Sequence, residues 1–318
     1  MLNVRVTAPH ALAESLRAQL TAEPTVSNVA LVPGVALDGE GDVLFFELAR
    51  ENANNIMRTL RHAGVPEVGS IVVSDALAVV SDAATAAERA APGHPADGVL
   101  WAQLADTSRE DSRPSWSFFA FLLLATLIAG IGRLLDQPIL IIGAMVVGPE
   151  FAPIAAICYA IVRRKRGIAG MASLTLFGGF ALCALIAWAI WAVVYALGLF
   201  TFEQATTGPL TDFIVAPDAW SFVIALLAGI AGVLSLTTSK SSALVGVFIS
   251  ITTVPAVGTI GLTLAVDAWD ESWAALVQLA LNLAGLLIAG VATLFVQLHV
   301  GRAVGRRLAA RRKPVAAG

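Results

Sequence analysis

Between Ile142 and Pro153 the chain reads Ile-Gly-Ala-Met-Val-Val-Gly-Pro-Glu-Phe-Ala-Pro, which sets a carboxylate between two prolines inside an apolar run of membrane length. Proline has no N–H to donate and its ring clashes with the preceding turn, so Pro149 and Pro153 free carbonyls that lipid cannot satisfy. This stretch must therefore face protein or water. A charged side chain near the bilayer centre costs about 2.5 to 3.5 kcal/mol on insertion scales, which makes Glu150 a candidate functional residue by default. Gly148, Pro149, Glu150 and Pro153 are read together as one broken-helix site.

Hydrophobic residues make up 57% of the 318 residues and charged ones 14%, the balance of an integral membrane protein. The apolar runs are not spread evenly. Charges mix with short apolar stretches before residue 112, whereas runs of roughly 20 apolar residues fill the segment from Trp116 to Val300. A soluble domain is expected over 1–81, a linker with a short helix over 82–114, a membrane domain over 115–300 and a basic tail over 301–318. The two cysteines, Cys158 and Cys183, both fall inside expected spans, which leaves no disulfide framework and no thiolate metal site. Met1 to Val6 leads straight into strand-like sequence, so no export signal is expected at this end.

Periodicity in the first 81 residues predicts the order βαββαβ: a strand over 2–7, a helix carrying Leu12, Leu16 and Leu20, and a strand over 26–32. A turn through Pro33-Gly34 and Asp38-Gly39 follows, then a strand over 43–48, a helix over 51–63 stopped by Gly64, and a strand over 68–73. That order is that of a ferredoxin-like split βαβ domain, a fold that hosts many unrelated functions. In the linker, Val99, Leu100, Trp101 and Leu104 mark a short helix, either on the membrane surface or packed on the soluble domain.

Six spans are expected at about 115–135, 138–162, 168–200, 220–236, 242–266 and 273–299. With the N-terminus inside, every cytoplasmic segment is basic: Arg163 to Arg166, then Lys240, then Arg302 to Lys313. The intervening loops on the other side, which hold Glu203, Asp212, Asp218, Asp267, Asp270 and Glu271, have no Lys or Arg, as the positive-inside rule requires. Trp116, Trp220, Trp269 and Trp273 fall at span ends as an aromatic belt, while Trp188 and Trp191 are expected between helices.

Leu127-Ile128-Ala129-Gly130-Ile131-Gly132 resembles Leu227-Ala228-Gly229-Ile230-Ala231-Gly232, and the parallel continues from Ile142-Gly143 to Pro153 and from Val245-Gly246 to Pro255. Three spans per half, about 115–200 and 220–299, force two consecutive copies into opposite orientations. Interrupted helices at corresponding places in inverted halves point to a midplane binding site in secondary transporters. Thr252, Thr253 and Pro255 are thus expected at the depth of Glu150. The equal alternative is that the threonines only satisfy backbone around Pro255.

Gln137-Pro138-Ile139-Leu140-Ile141-Ile142-Gly143-Ala144-Met145, Pro149 and Pro153, with Ala228-Gly229-Ile230-Ala231-Gly232 and Thr253-Val254-Pro255, resemble the bacterial and archaeal membrane family called domain of unknown function 389. The resemblance runs from about Phe118 to Val296, and the soluble domain is similar to that of actinobacterial-type members. It implies architecture and membrane location rather than chemistry. Many members read Ser-Pro-Leu where this chain has Gly148-Pro149-Glu150, so a mechanism through Glu150 does not extend to the whole family.

Arg133 and Lys240 are candidate charge partners for Glu150, although Arg133 sits near a span end, where reaching the surface is the favoured expectation. Gln278 and Asn282 share one face of the last span and are expected to join helices by hydrogen bonds. No GxSxG, HExxH or P-loop is present and the four histidines are scattered, so neither an enzyme nor a cofactor or metal is expected. The basic tail reads as an anchor on membrane lipid and not as a nucleic-acid site. The leading expectation is a homo-oligomeric inner-membrane protein with cytoplasmic termini that transports a small ion or solute, proton-coupled through Glu150. A membrane sensor or scaffold and an ion channel are the alternatives.

Overall fold

The computed structural model describes residues 1–36, 41–76, 78–91, 99–237 and 252–311, with side chains to 300. The chain forms two compact units, one built on Met1–Gln103 and the other on Leu104–Leu236 with residues up to Val296.

In the first unit β1 (Leu2–Pro9), α1 (His10–Thr21), β2 (Val26–Ala36), β3 (Gly41–Leu48), α2 (Ala53–His62), α3 (Val65–Val68) and β4 (Ser70–Asp75) follow in order. The four strands form one sheet ordered β2-β3-β1-β4 with antiparallel neighbours throughout. Alternation builds the core. Leu2, Val4 and Val6 of β1 and Leu44, Phe46 and Leu48 of β3 turn to one face and pack on Leu16 and Leu20 of α1 and Ile56, Met57 and Leu60 of α2. Each such side chain contributes about 1.5 to 3 kcal/mol when fully buried.

The sheet departs from the periodicity at one edge. Pro33 and Gly34 belong to β2 and not to a turn, because the ladder shifts register between Val32 and Ala36 and Gly34 takes a positive φ of 67°, so the strand bulges and continues. Asp38-Gly39 lie outside the described residues. The last strand starts later than expected, since Val65–Val68 forms a helical turn behind Gly64, whose φ is +80°. Leu100 precedes α5 (Trp101–Asp111) and seats in the core of this unit. Asn54 of α2 holds the backbone on either side of it, donating to the Val99 carbonyl at 2.6 Å and accepting from the Trp101 N–H at 3.2 Å. Ser81 caps α4 (Asp82–Ala90).

The second unit is helical and membrane-embedded by length and composition. Among the described residues, four helices are long and apolar enough to cross a membrane: α6 (Trp116–Leu134), α9 (Arg166–Ala196), α11 (Ala219–Thr237) and Trp269–Val300 of the last helix, α13 (Trp269–Arg311). A fifth is reached if α7 (Pro138–Val147) and α8 (Phe151–Arg163), bent 53° at their break, count as one span. α10 (Phe202–Thr206) lies in the loop before α11. The expected fifth span is described only from Thr252, as α12 (Thr253–Leu264); at 12 residues it covers about 18 Å, less than the roughly 30 Å of hydrocarbon. Six separate spans are therefore not what the described residues contain.

Local chemistry sets the helix starts. Ser115 accepts from the Phe118 N–H at 3.1 Å and Asp218 accepts from the Ser221 N–H at 2.7 Å, each supplying an orphan donor with its acceptor. Trp116, Trp220, Trp269 and Trp273 are all largely exposed at helix beginnings, whereas Trp191 is buried and Trp188, contrary to expectation, is 41% exposed. α9 runs unbroken through Gly178-Gly179.

Small residues decide which helices meet. A Cβ on Gly258 of α12 would lie 2.6 Å from the Thr126 carbonyl of α6, and one on Gly261 would lie 2.8 Å from Ala187 of α9. Reciprocally, a Cβ on Gly232 of α11 would strike the Phe151 ring of α8 at 2.2 Å, and one on Gly290 of α13 would lie 2.7 Å from Cys158 of α8. So α12 rests on the long helices that precede it, and α8 on those that follow it, each through glycine-sized gaps.

In the first unit, Asp42 is 2% exposed and accepts from the Gly34 N–H at 2.9 Å, with His10 Nδ1 at 2.7 Å from its other oxygen. The Gly34 hydrogen bond, and then His10, hold its carboxyl below the ordinary 3.8. A carboxyl more acidic when folded adds stability above its unfolded pKa and loses it as pH falls through the lower folded value. Asp42→Asn is expected to lower the thermal midpoint of the full chain at neutral pH. The gap from wild type should close as the pH is taken below about 4, as followed by circular dichroism across a pH series.

Candidate functional site

Glu150 stands between α7 and α8, where two prolines shape the backbone. Pro149 has no N–H for the Met145 carbonyl, and Pro153 has none for the Pro149 carbonyl, which accepts instead from Ala152 at 3.3 Å. The Gly148 N–H closes α7 on Ala144 at 3.0 Å, and the Ile154 N–H opens α8 on Glu150 at 3.3 Å. With backbone φ −66° and ψ −20°, Glu150 already has a helical conformation, yet its side chain makes no capping bond to its own helix. It folds back over Gly148: a Cβ there would fall 2.3 Å from Oε2. Gly148 is therefore the space into which the carboxylate fits.

The residue is 3% exposed and its two oxygens differ. Thr253 Oγ1, itself fully buried at the start of α12, donates to Glu150 Oε1 at 2.9 Å. Oε2 is buried with no partner among the described residues. Beside Thr253, Thr252 Oγ1 accepts a hydrogen bond from the Asn282 side-chain amide of α13. One turn earlier on α13, Gln278 is 1% exposed and its Oε1 is likewise buried without a partner among the described residues. Two hydrogen-bonded pairs, Glu150 with Thr253 and Thr252 with Asn282, thus meet at the start of α12 inside an apolar bundle. Pro153 and Pro255 are buried beside it in α8 and α12 and act on the backbone alone.

The expected charge partners do not join this group. Lys240 lies outside the described residues. Arg133 neither reaches a surface nor pairs with Glu150: it is fully buried at the end of α6, donating from Nη1 to Asp212 Oδ1 at 2.9 Å and Thr211 Oγ1 at 3.0 Å, and from Nη2 to the Thr206 carbonyl at 2.9 Å. Asp136, at a left-handed φ of 50°, accepts from the Thr211 hydroxyl at 2.9 Å and the Leu210 N–H at 3.1 Å. A buried guanidinium is costly unless paired, and the loop after α9 supplies the acceptors. Asp212, Thr211 and Asp136 carry no motif that would have singled them out. The signal was an arginine whose only neighbours in sequence are apolar, facing a loop without Lys or Arg.

Of the residues expected at the site, Glu150, Gly148 and Thr253 come into direct contact, and Thr252, next to Thr253 in the chain, bonds Asn282 instead. Asn282 enters the site in addition to bridging helices, a role that its spacing from Gln278 alone did not distinguish. Among the described residues no group of three or more His, Cys, Asp or Glu side chains is arranged to hold a metal ion.

Residues 145–288 match the family model described as Domain of unknown function (DUF389), a stretch that includes Glu150, Thr252, Thr253 and Asn282 and excludes Arg133 and the N-terminal unit. An uncharacterized protein of Methanocaldococcus jannaschii is 28% identical over 171 residues, 54% of this chain and 51% of that protein, so the chain spans about half the length of this curated relative. No solved structure matches.

Two outcomes are expected from this geometry. Arg133→Met strips Asp212 and the Thr206 and Gly208 carbonyls of their donor, and Asp212→Asn leaves the fully buried guanidinium without its counter-ion; each should cost about 3 kcal/mol. Thermal unfolding in detergent, with limited proteolysis between Phe202 and Val215, reads both. Gly148→Ala should expel the carboxylate from its place over residue 148 and lower the thermal midpoint, the overpacking costing about 1 to 3 kcal/mol.

Proposed function

We propose that this chain is a secondary transporter of a small ion or solute, with Glu150 as its proton-coupling group. The observation that carries the reading is a buried carboxyl at a 53° helix break, bonded on one oxygen to Thr253 at the start of a second short helix and unpartnered on the other. A carboxyl that takes up and releases a proton inside an apolar bundle is a coupling device, and intramembrane carboxylates mark ion and proton pathways.

We read the membrane unit as two inverted three-span halves, the fifth span being completed through residues outside those described. The reciprocal seating of α8 and α12 supports this: each short helix of one half lies against long helices of the other. A transporter so built exposes a midplane site alternately as one half rocks on the other. The strand order β2-β3-β1-β4 within βαββαβ supports a ferredoxin-like reading of the N-terminal unit, to which we assign regulation or homo-oligomer assembly. Basic segments at Arg163–Arg166 and Arg302–Lys313 support an inner-membrane orientation with both termini cytoplasmic, the tail resting on anionic membrane lipid. Catalysis, a cofactor and nucleic-acid binding have no part in this reading.

The test is proton flux in proteoliposomes loaded with an internal pH dye, with inorganic ions and small solutes offered in turn. Wild type should show solute-dependent pH change. Glu150→Gln, which keeps an oxygen for Thr253, should fall to the protein-free background. Thr253→Val should retain about a tenth of the rate, the equivalent of one hydrogen bond to a charged group of about 1.5 kcal/mol. Unaltered flux in Glu150→Gln would remove Glu150 from the mechanism, and absence of flux from folded wild type would favour a sensor or scaffold.

A further inference from the structure

The polar group at the break has an excess of unfilled acceptors. Glu150 Oε2 and Gln278 Oε1 are each buried and unpartnered, in residues 3% and 1% exposed. Thr253 has committed its hydroxyl proton to Glu150 Oε1, which leaves its lone pairs open, and Thr252 Oγ1 receives the Asn282 amide. Gln278 lies one helical turn, about 6 Å along the axis, from Asn282. When Glu150 is ionised, as a coupling group is for part of its cycle, neither acceptor has a donor. A buried acceptor without a donor costs about 1 to 3 kcal/mol, so in that state each calls for a partner, and one cation can serve both.

The charge and the atom types restrict that partner. The group carries one carboxylate, and a charge is tolerated at low dielectric when an opposite charge of equal size stands beside it. Arg133, the buried cation of this unit among the described residues, is spent on Asp212, so nothing in the group compensates an anion. Every open atom is oxygen: carboxylate, amide carbonyl and hydroxyl. Such a set suits hard cations and not the softer ions that prefer sulfur or imidazole.

We infer that the break seats one small monovalent cation, an alkali-metal ion or ammonium, anchored on Glu150 Oε2 with oxygens of Thr252, Thr253 and Gln278 completing its shell, and that this cation is the transported species. The inference rests on the transport reading above and names its substrate class. Asn282 is a positioning residue in this arrangement. Its bond to Thr252 orients the first turn of α12, so that the adjacent Thr253 faces the carboxylate.

The experiment is thermal unfolding of the purified full chain in detergent at one pH and one ionic strength, with sodium, potassium or ammonium chloride replacing choline chloride. One or more of the three salts should raise the midpoint in a saturable way relative to choline, and which salts do so separates an alkali-metal seat from an ammonium seat. The rise should vanish in Glu150→Gln, and the concentration giving half the rise should increase about tenfold or more in Gln278→Leu. Glu150→Asp, which keeps the charge and withdraws it by one methylene, serves if Glu150→Gln fails to fold, and should alter the order of the salts. Equal midpoints in all four salts, or a salt-specific rise that Glu150→Gln and Glu150→Asp leave unchanged, would overturn the seat. If proton flux in proteoliposomes persists while the midpoints are equal, the cation inference fails and the transport reading stands; if both are absent, both fail.

Discussion

A carboxylate held away from water must have its surroundings built for it, and much of the membrane unit is arranged around that requirement at Glu150. Gly148 leaves room for the side chain, Pro149 and Pro153 take two donors out of the backbone around it, and Thr253 is brought across to one oxygen. A backbone broken at this depth cannot face lipid, because hydrocarbon offers its free carbonyls nothing. Protein therefore encloses the segment: α8 rests on α11 through Gly232 and on α13 through Gly290.

The enclosure depends on close approach more than on apolar burial. Lipid tails are as apolar as leucine, so helices in a membrane gain little from hiding hydrophobic surface and associate where small residues let backbones meet. Gly258 against Thr126 and Gly261 against Ala187 perform for α12 what Gly232 and Gly290 perform for α8. In the N-terminal unit the opposite physics rules. There the sheet buries Leu2, Val4, Val6, Leu44, Phe46 and Leu48 against two helices, and water drives the assembly.

Two buried ionic groups in the membrane unit are resolved differently. Arg133 is engaged through both terminal nitrogens by the loop from Thr206 to Asp212 and secures the end of α6, a structural role. Glu150 is half engaged. A group with its counter-ion in place has reason to stay put, whereas a carboxyl with no ion pair among the described residues has capacity to bind.

Much of this was legible before any tertiary contact was known. The period-two strands, the division between a mixed N-terminal part and an apolar remainder, and the broken segment at Gly148–Pro149–Glu150 follow from local chemistry: side-chain alternation, span-length apolarity and proline's missing donor. Distances between elements were not legible, since composition is nearly uniform along the apolar runs and carries no record of which faces meet. The bulge at Gly34 kept Pro33 inside a strand because the partner ladder on β3 tolerated a register shift. Arg133, expected at a surface, is buried because a loop some 70 residues away folds acceptors over it, a long-range event that no window around Arg133 contains. The sequence by itself determined where a helix must break and where an ionisable group must be enclosed, since both follow from bonds a residue can or cannot make. Only the tertiary structure decided that Thr253 and not Arg133 answers the carboxylate, because partner choice depends on which glycine-sized gaps let distant helices touch.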